Sequence, residues 1–240
     1  MLSRRGFTLS CVAALGAAAG CEGGTLEEAV VRNIVLLGDS VFDNAAYVGR
    51  GPDVVRQLRT LLPEGSTATL AAVDGAVVSG VARQLETVPA DATHLVVSAG
   101  GNDALGHSTI LNTATGTVGE AVDRLNTVQA QFTSKYSSML DLVLQRSLPT
   151  AVCTIYEPRF PDQQQRRRAA TALAVLNDII LREAFRRSVA VLDLRLVCSE
   201  DADFANPIEP SVVGGAKIAR TILSFVSTPR LGNRSQIFRG

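Results

Sequence analysis

The sequence predicts an α/β fold in which helices cover both faces of one parallel sheet. Short apolar runs that suit buried strands alternate strictly with segments of helical periodicity. The chain has 240 residues, of which 46% are hydrophobic and 19% are charged, so it can bury one core and is short for two domains. The sequence shows no internal repeat and no second domain boundary. We therefore expect a single domain over residues 31–226.

Five segments have the composition of buried β-strands. The first ends at Gly38, and the dipeptides Asp74-Gly75 and Gly100-Gly101 end the second and third. The predicted strands cover residues 31–37, 67–73, 94–99, 151–156 and 189–192. Because parallel strands need long crossover connections, the helical segments between them fit a parallel sheet.

Apolar residues at helical spacing predict the helices between the strands. These helices cover residues 51–62, 78–85, 166–187 and 216–226, with one or two more inside 118–144. We interpret the run Arg166-Arg167-Arg168 as the solvated start of its helix rather than as an anion site. The tail at 227–240 is polar, and we expect it to fray.

Charge and composition exclude several classes of partner. The 23 Lys and Arg residues balance 23 Asp and Glu residues, so no basic field attracts nucleic acid. His94 and His107 are the only histidines, and no Cys/His cluster has zinc-ligand spacing, so we expect no metal. Cys153 and Cys198 could form a disulfide in an oxidising compartment, and their spacing in the sequence leaves this question open.

Residues 1–21 have the pattern of an export signal. Arg4 and Arg5 precede an apolar run that ends in small residues. The two arginines also resemble a twin-arginine signal, and Ala18-Ala19-Gly20-Cys21 resembles a bacterial lipobox, with Ala18 where Leu is usual. A plain signal peptide and an uncleaved helix are the alternatives. We expect an exported bacterial protein, periplasmic or anchored to the membrane by an acylated Cys21.

Polar side chains and glycines follow each predicted strand, where ligands bind in open parallel sheets. These residues are Asp39, Ser40, Asp43 and Asn44 after the first strand, Asp74 and Gly75 after the second, Gly100, Gly101, Asn102, Asp103 and His107 after the third, Tyr156, Glu157 and Arg159 after the fourth, and Asp193 and Arg195 after the fifth. A hydroxyl beside exposed backbone N–H groups and an Asn amide suits acyl transfer, because the hydroxyl attacks and the donors hold the oxyanion.

Three of these segments resemble the sequence blocks of the SGNH (GDSL-type) hydrolases. They are Gly38-Asp39-Ser40, Asp74-Gly75 and Gly100-Gly101-Asn102-Asp103, in family order and at successive strand ends. The resemblance implies a three-layer, flavodoxin-like sandwich with five parallel strands. It also implies that Ser40 is the nucleophile and that Asp39 holds the turn. The oxyanion hole would consist of the Ser40 and Gly75 backbone N–H groups and the Asn102 side chain. The resemblance implies no cofactor.

The fourth block of the family departs from its pattern here. The family has Asp-x-x-His-Pro before the last helix, where this chain has Asn206-Pro207-Ile208-Glu209-Pro210. Asn206 stands at the position of the orienting Asp, and Glu209 stands at the position of the basic His. Glu209 could be the base if burial raised its pKa and Asn206 held it by a hydrogen bond. His107 could reach in as the base instead, or the site could bind a ligand without converting it.

The sequence thus predicts a serine esterase that acts on a small ester, such as an O-acyl group on a sugar or lipid. A catalytically weak, ligand-binding relative is the alternative. A flavin or nucleotide binder of the same topology is disfavoured, because the loop after the first strand is not a glycine-rich phosphate cradle. The sequence does not identify the acyl group, the alcohol or the oligomeric state.

Overall fold

The structure, a computed structural model, describes residues 31–229 and 234–240 and is built around a parallel sheet. In this part of the chain the sheet has six strands in the order β2-β1-β3-β4-β5-β6, and every pairing is parallel. The strands are β1 (Asn33–Gly38), β2 (Thr67–Leu70), β3 (His94–Ser98), β4 (Thr150–Cys153), β5 (Ala190–Leu192) and β6 (Ile237–Phe238). The predicted α/β sandwich is confirmed, with one strand more than the five predicted.

Helices cover both faces of this sheet. They are α1 (Val54–Leu61), α2 (Val81–Gln84), α3 (Gly101–Gly106), α4 (Val118–Leu144), α5 (Gln163–Arg186), α6 (Leu194–Val197) and α7 (Val212–Ser227). Residues 118–144 form one continuous helix. The predicted helix at 78–85 is a single turn of α-helix, α2, between two short 3-10 turns.

The alternation of side chains along β1 divides the core into two layers. Ile34 and Leu36 face a cluster that includes residues of α1 and α7. Val35 and Leu37 face the opposite cluster, which α2, α4 and α5 complete. Successive residues of a strand point to opposite faces, so an uninterrupted apolar run is what a strand buried on both faces requires.

The tail predicted to fray contains strand β6 instead. Ile237 and Phe238 pair with Val191 and Leu192 of β5, and the Phe238 ring lies 5.7 Å from the ring of Phe225 in α7. Two apolar residues in a polar tail are too short a run to show strand periodicity. The prediction was wrong because tertiary pairing, rather than local pattern, orders this segment.

Helix α7 begins four residues before its predicted start. Ser211 caps it, as its hydroxyl accepts hydrogen bonds from the N–H groups of Val213 and Gly214. Gly214 and Gly215 precede the predicted start, yet both lie inside the helix. A Cβ on Gly214 would lie 2.1 Å from the Asp203 carbonyl oxygen, so glycine is needed for close packing there.

Two other predictions concern cysteines and the N-terminus. Cys153 and Cys198 are both buried and free, so the pairing left open by the sequence does not form. The predicted export signal and the acylation site at Cys21 lie outside the described residues. Of the helices in residues 31–229 and 234–240, none combines the length and the hydropathy needed to cross a bilayer.

Candidate active site

Ser40 lies in a sharp turn at the carboxyl end of β1. Gly38 makes this turn possible, because its φ is +122° and a Cβ would lie 1.7 Å from the Ser98 carbonyl oxygen. The Asp39 carboxylate accepts hydrogen bonds from the Val41 N–H at 3.2 Å and the Ser98 hydroxyl at 3.3 Å. Asp39 therefore holds the turn, as the resemblance implies, and Ser40 sits at the sheet edge between β1 and β3.

The structure brings Ser40 and Glu209 together across 169 residues of sequence. The Ser40 hydroxyl donates a hydrogen bond to Glu209 Oε1 at 3.1 Å, and both residues are buried. The second carboxylate oxygen of Glu209 is buried and has no hydrogen-bond partner among the described residues. One oxygen of Glu209 thus contacts the hydroxyl that would attack, and the other lacks the hydrogen bond that a buried carboxylate oxygen usually has.

A hairpin between Asp203 and Ser211 presents Glu209 to Ser40. Phe204 and Pro210 form an antiparallel bridge across it. The Asn206 side-chain oxygen accepts hydrogen bonds from the N–H groups of Ile208 and Glu209, each at 2.9 Å. The hydrogen bond expected between Asn206 and the Glu209 carboxylate is therefore not present. Asn206 positions Glu209 through the main chain, because its short side chain folds back onto its own turn.

Two further contacts support this hairpin, and sequence reasoning missed one of them. The hydroxyl of Tyr156, one of the residues that follow the fourth predicted strand, donates to the Ile208 carbonyl at 2.6 Å. Lys217 of α7 forms an ion pair at 2.7 Å with Asp203, whose side chain is fully buried. Lys217 is one of only two lysines in a chain rich in arginine, and this rarity is the one feature that could have drawn attention to it.

Burial shifts the acid–base properties of the two carboxyl groups beside Ser40. Desolvation raises the pKa of Glu209 above its usual value; the hydrogen bond from Ser40 opposes this rise, and the negative charge of Asp74 adds to it. Desolvation also raises the pKa of Asp39 to about 7. A carboxylate with a raised pKa is a better proton acceptor near neutral pH than a solvated one.

The loops that carry Gly75 and Asn102 are joined to the Ser40 turn. Asp43 accepts the Asp74 N–H at 2.9 Å, which ties the Gly75 turn to the loop after β1. Asn102, in the first turn of α3, donates one amide proton to the Ala76 carbonyl at 3.0 Å. The buried Asp103 accepts the Val78 N–H at 2.8 Å. The three sequence blocks thus form one hydrogen-bonded edge.

Donors for an oxyanion remain available at this edge. The backbone N–H groups of Ser40 and Gly75 donate no hydrogen bond within the described part of the chain. Asn102 Nδ2 has a second proton after its bond to Ala76. Ser40 and Asn102 line the same cavity, whereas Gly75 lies in the turn beside it and is not one of the lining residues.

The two histidines occupy different places. His107 ends α3 and lines the cavity, but no hydrogen bond joins its ring to Ser40 or Glu209 in the described residues. His94 starts β3 at the opposite edge of the sheet, where its Nδ1 lies 2.8 Å from the Thr93 hydroxyl and its ring packs on Phe225. Within the described residues no hydrogen bond joins either ring to Ser40, so Glu209 is the proton-accepting side chain that the structure places against the hydroxyl.

Other polar residues at the strand ends have structural contacts. Asn44 accepts the Val54 N–H and donates to the Pro210 carbonyl, which links α1 to the Glu209 hairpin. Asp193 and Arg195 form an ion pair at 2.6 Å. These contacts give Asn44, Asp193 and Arg195 structural roles and leave Ser40, Asn102 and Glu209 as the polar centre.

The buried Gln84 was missed by sequence reasoning. Its side-chain oxygen accepts the Gly38 N–H, and its amide donates to the Gly38 carbonyl, both at 2.7 Å. Gln84 lies in α2, where the sequence shows a glutamine within an apolar helical pattern and no other signal.

The cavity at Ser40 has a volume of about 630 Å³ and is mainly apolar away from the nucleophile turn. Ser40, Asn102 and Glu209 form its polar end. The remaining wall comes from α3, the 3-10 turn Ser108–Asn112, α4 and α5, and includes Leu105, Ile110, Leu125, Val128, Leu173 and Leu176. Such a cavity suits an apolar group attached to a polar reacting centre.

Comparisons with known proteins agree with this architecture. Residues 36–212 match the GDSL-like lipase/acylhydrolase family, and the chain belongs to that family. As a member of this family, the protein belongs to the hydrolases that act on ester bonds. No curated protein matches the sequence.

Solved structures share the fold at low sequence identity. A phospholipase A1 from Streptomyces albidoflavus has a TM-score of 0.61 at 17% identity, over 81% of this chain and 99% of that one. A lipase from a goat rumen metagenome has a TM-score of 0.64 at 17% identity, over 81% and 97%. An acetylxylan esterase from Geobacillus stearothermophilus has a TM-score of 0.53 at 17% identity, over 82% and 95%.

Proposed function

We propose that this protein is a serine esterase in which Ser40 is the nucleophile and Glu209 is the general base. The hydrogen bond from the Ser40 hydroxyl to Glu209 Oε1 carries the proposal. It is the geometry that proton abstraction needs, within hydrogen-bond reach and in a buried site.

The reaction follows from this pair. Ser40 Oγ bonds to the acyl carbon of the ester as its proton passes to Glu209 Oε1, and the carbonyl oxygen becomes an oxyanion. The free N–H groups of Ser40 and Gly75 and the second amide proton of Asn102 stabilise that oxyanion. Glu209 then returns the proton to the departing alkoxide. Water then attacks the acyl-enzyme as its proton passes to Glu209. Glu209 returns this proton to Ser40 Oγ as the bond to the acyl carbon breaks, and the carboxylic acid leaves.

The replacement of both the His and the Asp of the family pattern, by Glu209 and Asn206, is consistent with a carboxylate acting as the base. An imidazole base needs a carboxylate to fix its tautomer and orientation, whereas a carboxylate base has no tautomer to fix. A second carboxylate at position 206 would also repel the charge on Glu209. Asn206 instead accepts two backbone N–H groups and shapes the hairpin without adding charge.

The test measures hydrolysis of short-chain aryl esters by the wild-type protein, Ser40→Ala, Glu209→Gln and the matched control His107→Ala. We expect Ser40→Ala to abolish turnover and Glu209→Gln to lower kcat about 10²- to 10⁴-fold, the usual contribution of a general base. His107→Ala should stay near wild type.

Two results would change the assignment. Loss of turnover in His107→Ala with Glu209→Gln active would move the base to the end of α3. A wild-type protein no faster than Ser40→Ala on any ester would favour the ligand-binding alternative, and a thermal-shift screen of small esters would follow.

We also propose that the protein is exported and anchored through an acylated Cys21. The support is the order of Arg4 and Arg5, the apolar run and the small residues before Cys21. Cell fractionation of wild type and Cys21→Ser tests this, since the variant should leave the membrane fraction. Equal membrane content in both would contradict the anchor.

A further inference from the structure

A second cavity adjoins the proposed active site on the side away from Ser40. Its volume is about 430 Å³. The two cavities share five lining residues, which are Ile110, Leu111, Leu125, Arg168 and Ala172. The two cavities are therefore neighbours with a common stretch of wall, formed by the turn Ser108–Asn112, α4 and α5. We call the second one the outer cavity.

Three arginines line the outer cavity, and no acidic residue does. Arg124 projects from α4, and Arg167 and Arg168 project from α5. None of the three forms an ion pair with a carboxylate in residues 31–229 and 234–240. The outer cavity is thus a concave surface with three uncompensated positive charges.

The contrast with neighbouring arginines makes this arrangement specific. Arg166, the first residue of the same run, is ion-paired with Asp201 at 3.2 Å, and Arg187 near the end of the helix is paired with Asp141 and Glu183. Arg167 and Arg168 lie at the cavity instead. In the run Arg166-Arg167-Arg168 the first residue thus forms an ion pair, and the two others line a cavity.

Two acidic groups close to these arginines in sequence accept backbone N–H groups rather than forming ion pairs with them. Glu120, one turn before Arg124, accepts the Gly116 N–H at 2.8 Å. Asp162 caps α5 by accepting the Gln165 N–H at 2.6 Å. Asp39 and Glu209, the other acids that line the active-site cavity, belong to the Ser40 end.

We propose that the outer cavity binds an anionic group carried by the ester substrate at the far end of an apolar segment that fills the active-site cavity. This inference rests on the proposed esterase function and names its substrate class: an amphiphilic ester that ends in a carboxylate, phosphate or sulfate. Arginine suits this role because its guanidinium forms paired hydrogen bonds with such oxyanions.

The test compares two matched pairs of esters. In one pair the acyl chain ends in a carboxylate or in the neutral carboxamide, and in the other pair the alcohol chain carries these same ends. We expect kcat/KM to be at least about tenfold higher for the carboxylate than for the carboxamide in one pair, mostly through a lower KM. A tenfold difference corresponds to about 1.4 kcal/mol. Because Arg167 and Arg168 are exposed, the preference should shrink as salt is raised.

Variants assign the preference to the outer cavity. Arg124 and Arg167 line only this cavity, so the double variant Arg124→Gln/Arg167→Gln should bring the ratio of carboxylate to carboxamide close to one. The control Arg220→Gln removes an exposed arginine from α7, on the other face of the sheet, and should keep the ratio. A ratio near one in the wild type, or one that survives the double variant, would overturn the inference.

Adding inorganic phosphate distinguishes a site for an anionic group of the substrate from a site for a free anion. It should raise the KM of the preferred carboxylate ester by competing for the arginines. Faster turnover of the carboxamide esters in phosphate would indicate a site for a free effector and would overturn the inference. If the wild type hydrolyses the esters without preference, this inference alone fails, whereas rates no higher than those of Ser40→Ala for all four esters would overturn the esterase function as well.

Discussion

Gln84 and Gly38 form two hydrogen bonds with each other, one in each direction, at the point where β1 ends and the turn to Ser40 begins. The glutamine side chain is buried, so it completes the backbone bonding of a residue whose φ of +122° takes it out of regular strand geometry. The position of Ser40 therefore depends on a side chain 44 residues away from it in sequence.

We expect Gln84→Leu to destabilise the protein and to slow catalysis. The substitution leaves the buried Gly38 N–H without this partner, at a cost of about 1–3 kcal/mol. It also removes one of the bonds to the Gly38 carbonyl, which keeps the Val73 N–H as a donor. Urea unfolding and kcat measure the two effects. Gln131→Leu, at an exposed position in α4, is the control and should change stability by less than about 0.5 kcal/mol. Equal stability of the two variants would contradict the structural role of Gln84.

Gly38→Ala should be among the most damaging single substitutions in the chain. The added Cβ would lie 1.7 Å from the Ser98 carbonyl oxygen, and alanine disfavours a φ of +122°. We expect a loss of more than about 3 kcal/mol or failure to fold. Gly106→Ala is the matched control, because nothing lies within 4 Å of its added Cβ. Soluble, active Gly38→Ala would show that the turn can relax.

Stability should fall as pH rises from about 4 to about 7. Asp39 has a pKa of about 7 in the folded protein against 3.8 as its ordinary value, so between these values the unfolded chain holds fewer protons than the folded one. Ionisation then favours the unfolded state by up to roughly 4 kcal/mol, and above pH 7 the effect levels off. Glu209, whose pKa burial also raises, contributes with the same sign.

Urea unfolding from about pH 4.5 to about pH 8 measures this slope. Asp39→Asn removes the titrating group and should flatten the profile, while Asp53→Asn, at the cap of α1, should keep it. An unchanged slope in Asp39→Asn would assign the pH dependence to other groups. In the same pH series, esterase activity should decline as acid protonates Glu209, beginning at a higher pH than a solvated glutamate would give.

Lys217→Met tests the support of the Glu209 hairpin. It leaves the fully buried Asp203 carboxylate without its ion-pair partner, at a cost of about 3–5 kcal/mol. Because Asp203 begins the hairpin, kcat should fall together with stability. The chain offers a matched control in its other lysine, since Lys135→Met changes an exposed residue of α4 and should be nearly silent. If kcat stays at the wild-type level in Lys217→Met, the ion pair stabilises the fold without positioning the base.

The strands and the three blocks at their ends were predictable because each is a local pattern. An apolar run ended by glycine identifies β1 and the turn to Ser40 without reference to the rest of the chain. The resemblance also aligned Glu209 with the family's basic residue, and the structure places it 3.1 Å from the Ser40 hydroxyl. Alignment of a short block therefore indicated which residue lies against Ser40, although the type of that residue differs from the family's.

The contacts that support the site were not predictable, because they join segments far apart in sequence. Gln84 reads as a polar residue beside Arg83 in a short helix, and Lys217 reads as one of two charges on α7. Asn206 was assigned to the wrong partner, since the sequence cannot show whether a short amide bonds to its own turn or to a neighbouring side chain. Strand β6 has two residues, too few for any periodicity.

The Ser40–Glu209 pair also determines how charge moves during the proposed reaction. When a neutral imidazole takes the serine proton, it becomes a cation and attracts the oxyanion that forms. When Glu209 takes the proton it becomes neutral, so a single negative charge relocates from the carboxylate to the substrate oxygen and no cation forms. The intermediate then depends more on its neutral donors, and the loss of the Asn102 amide removes a larger share of its stabilisation than it would beside a histidine.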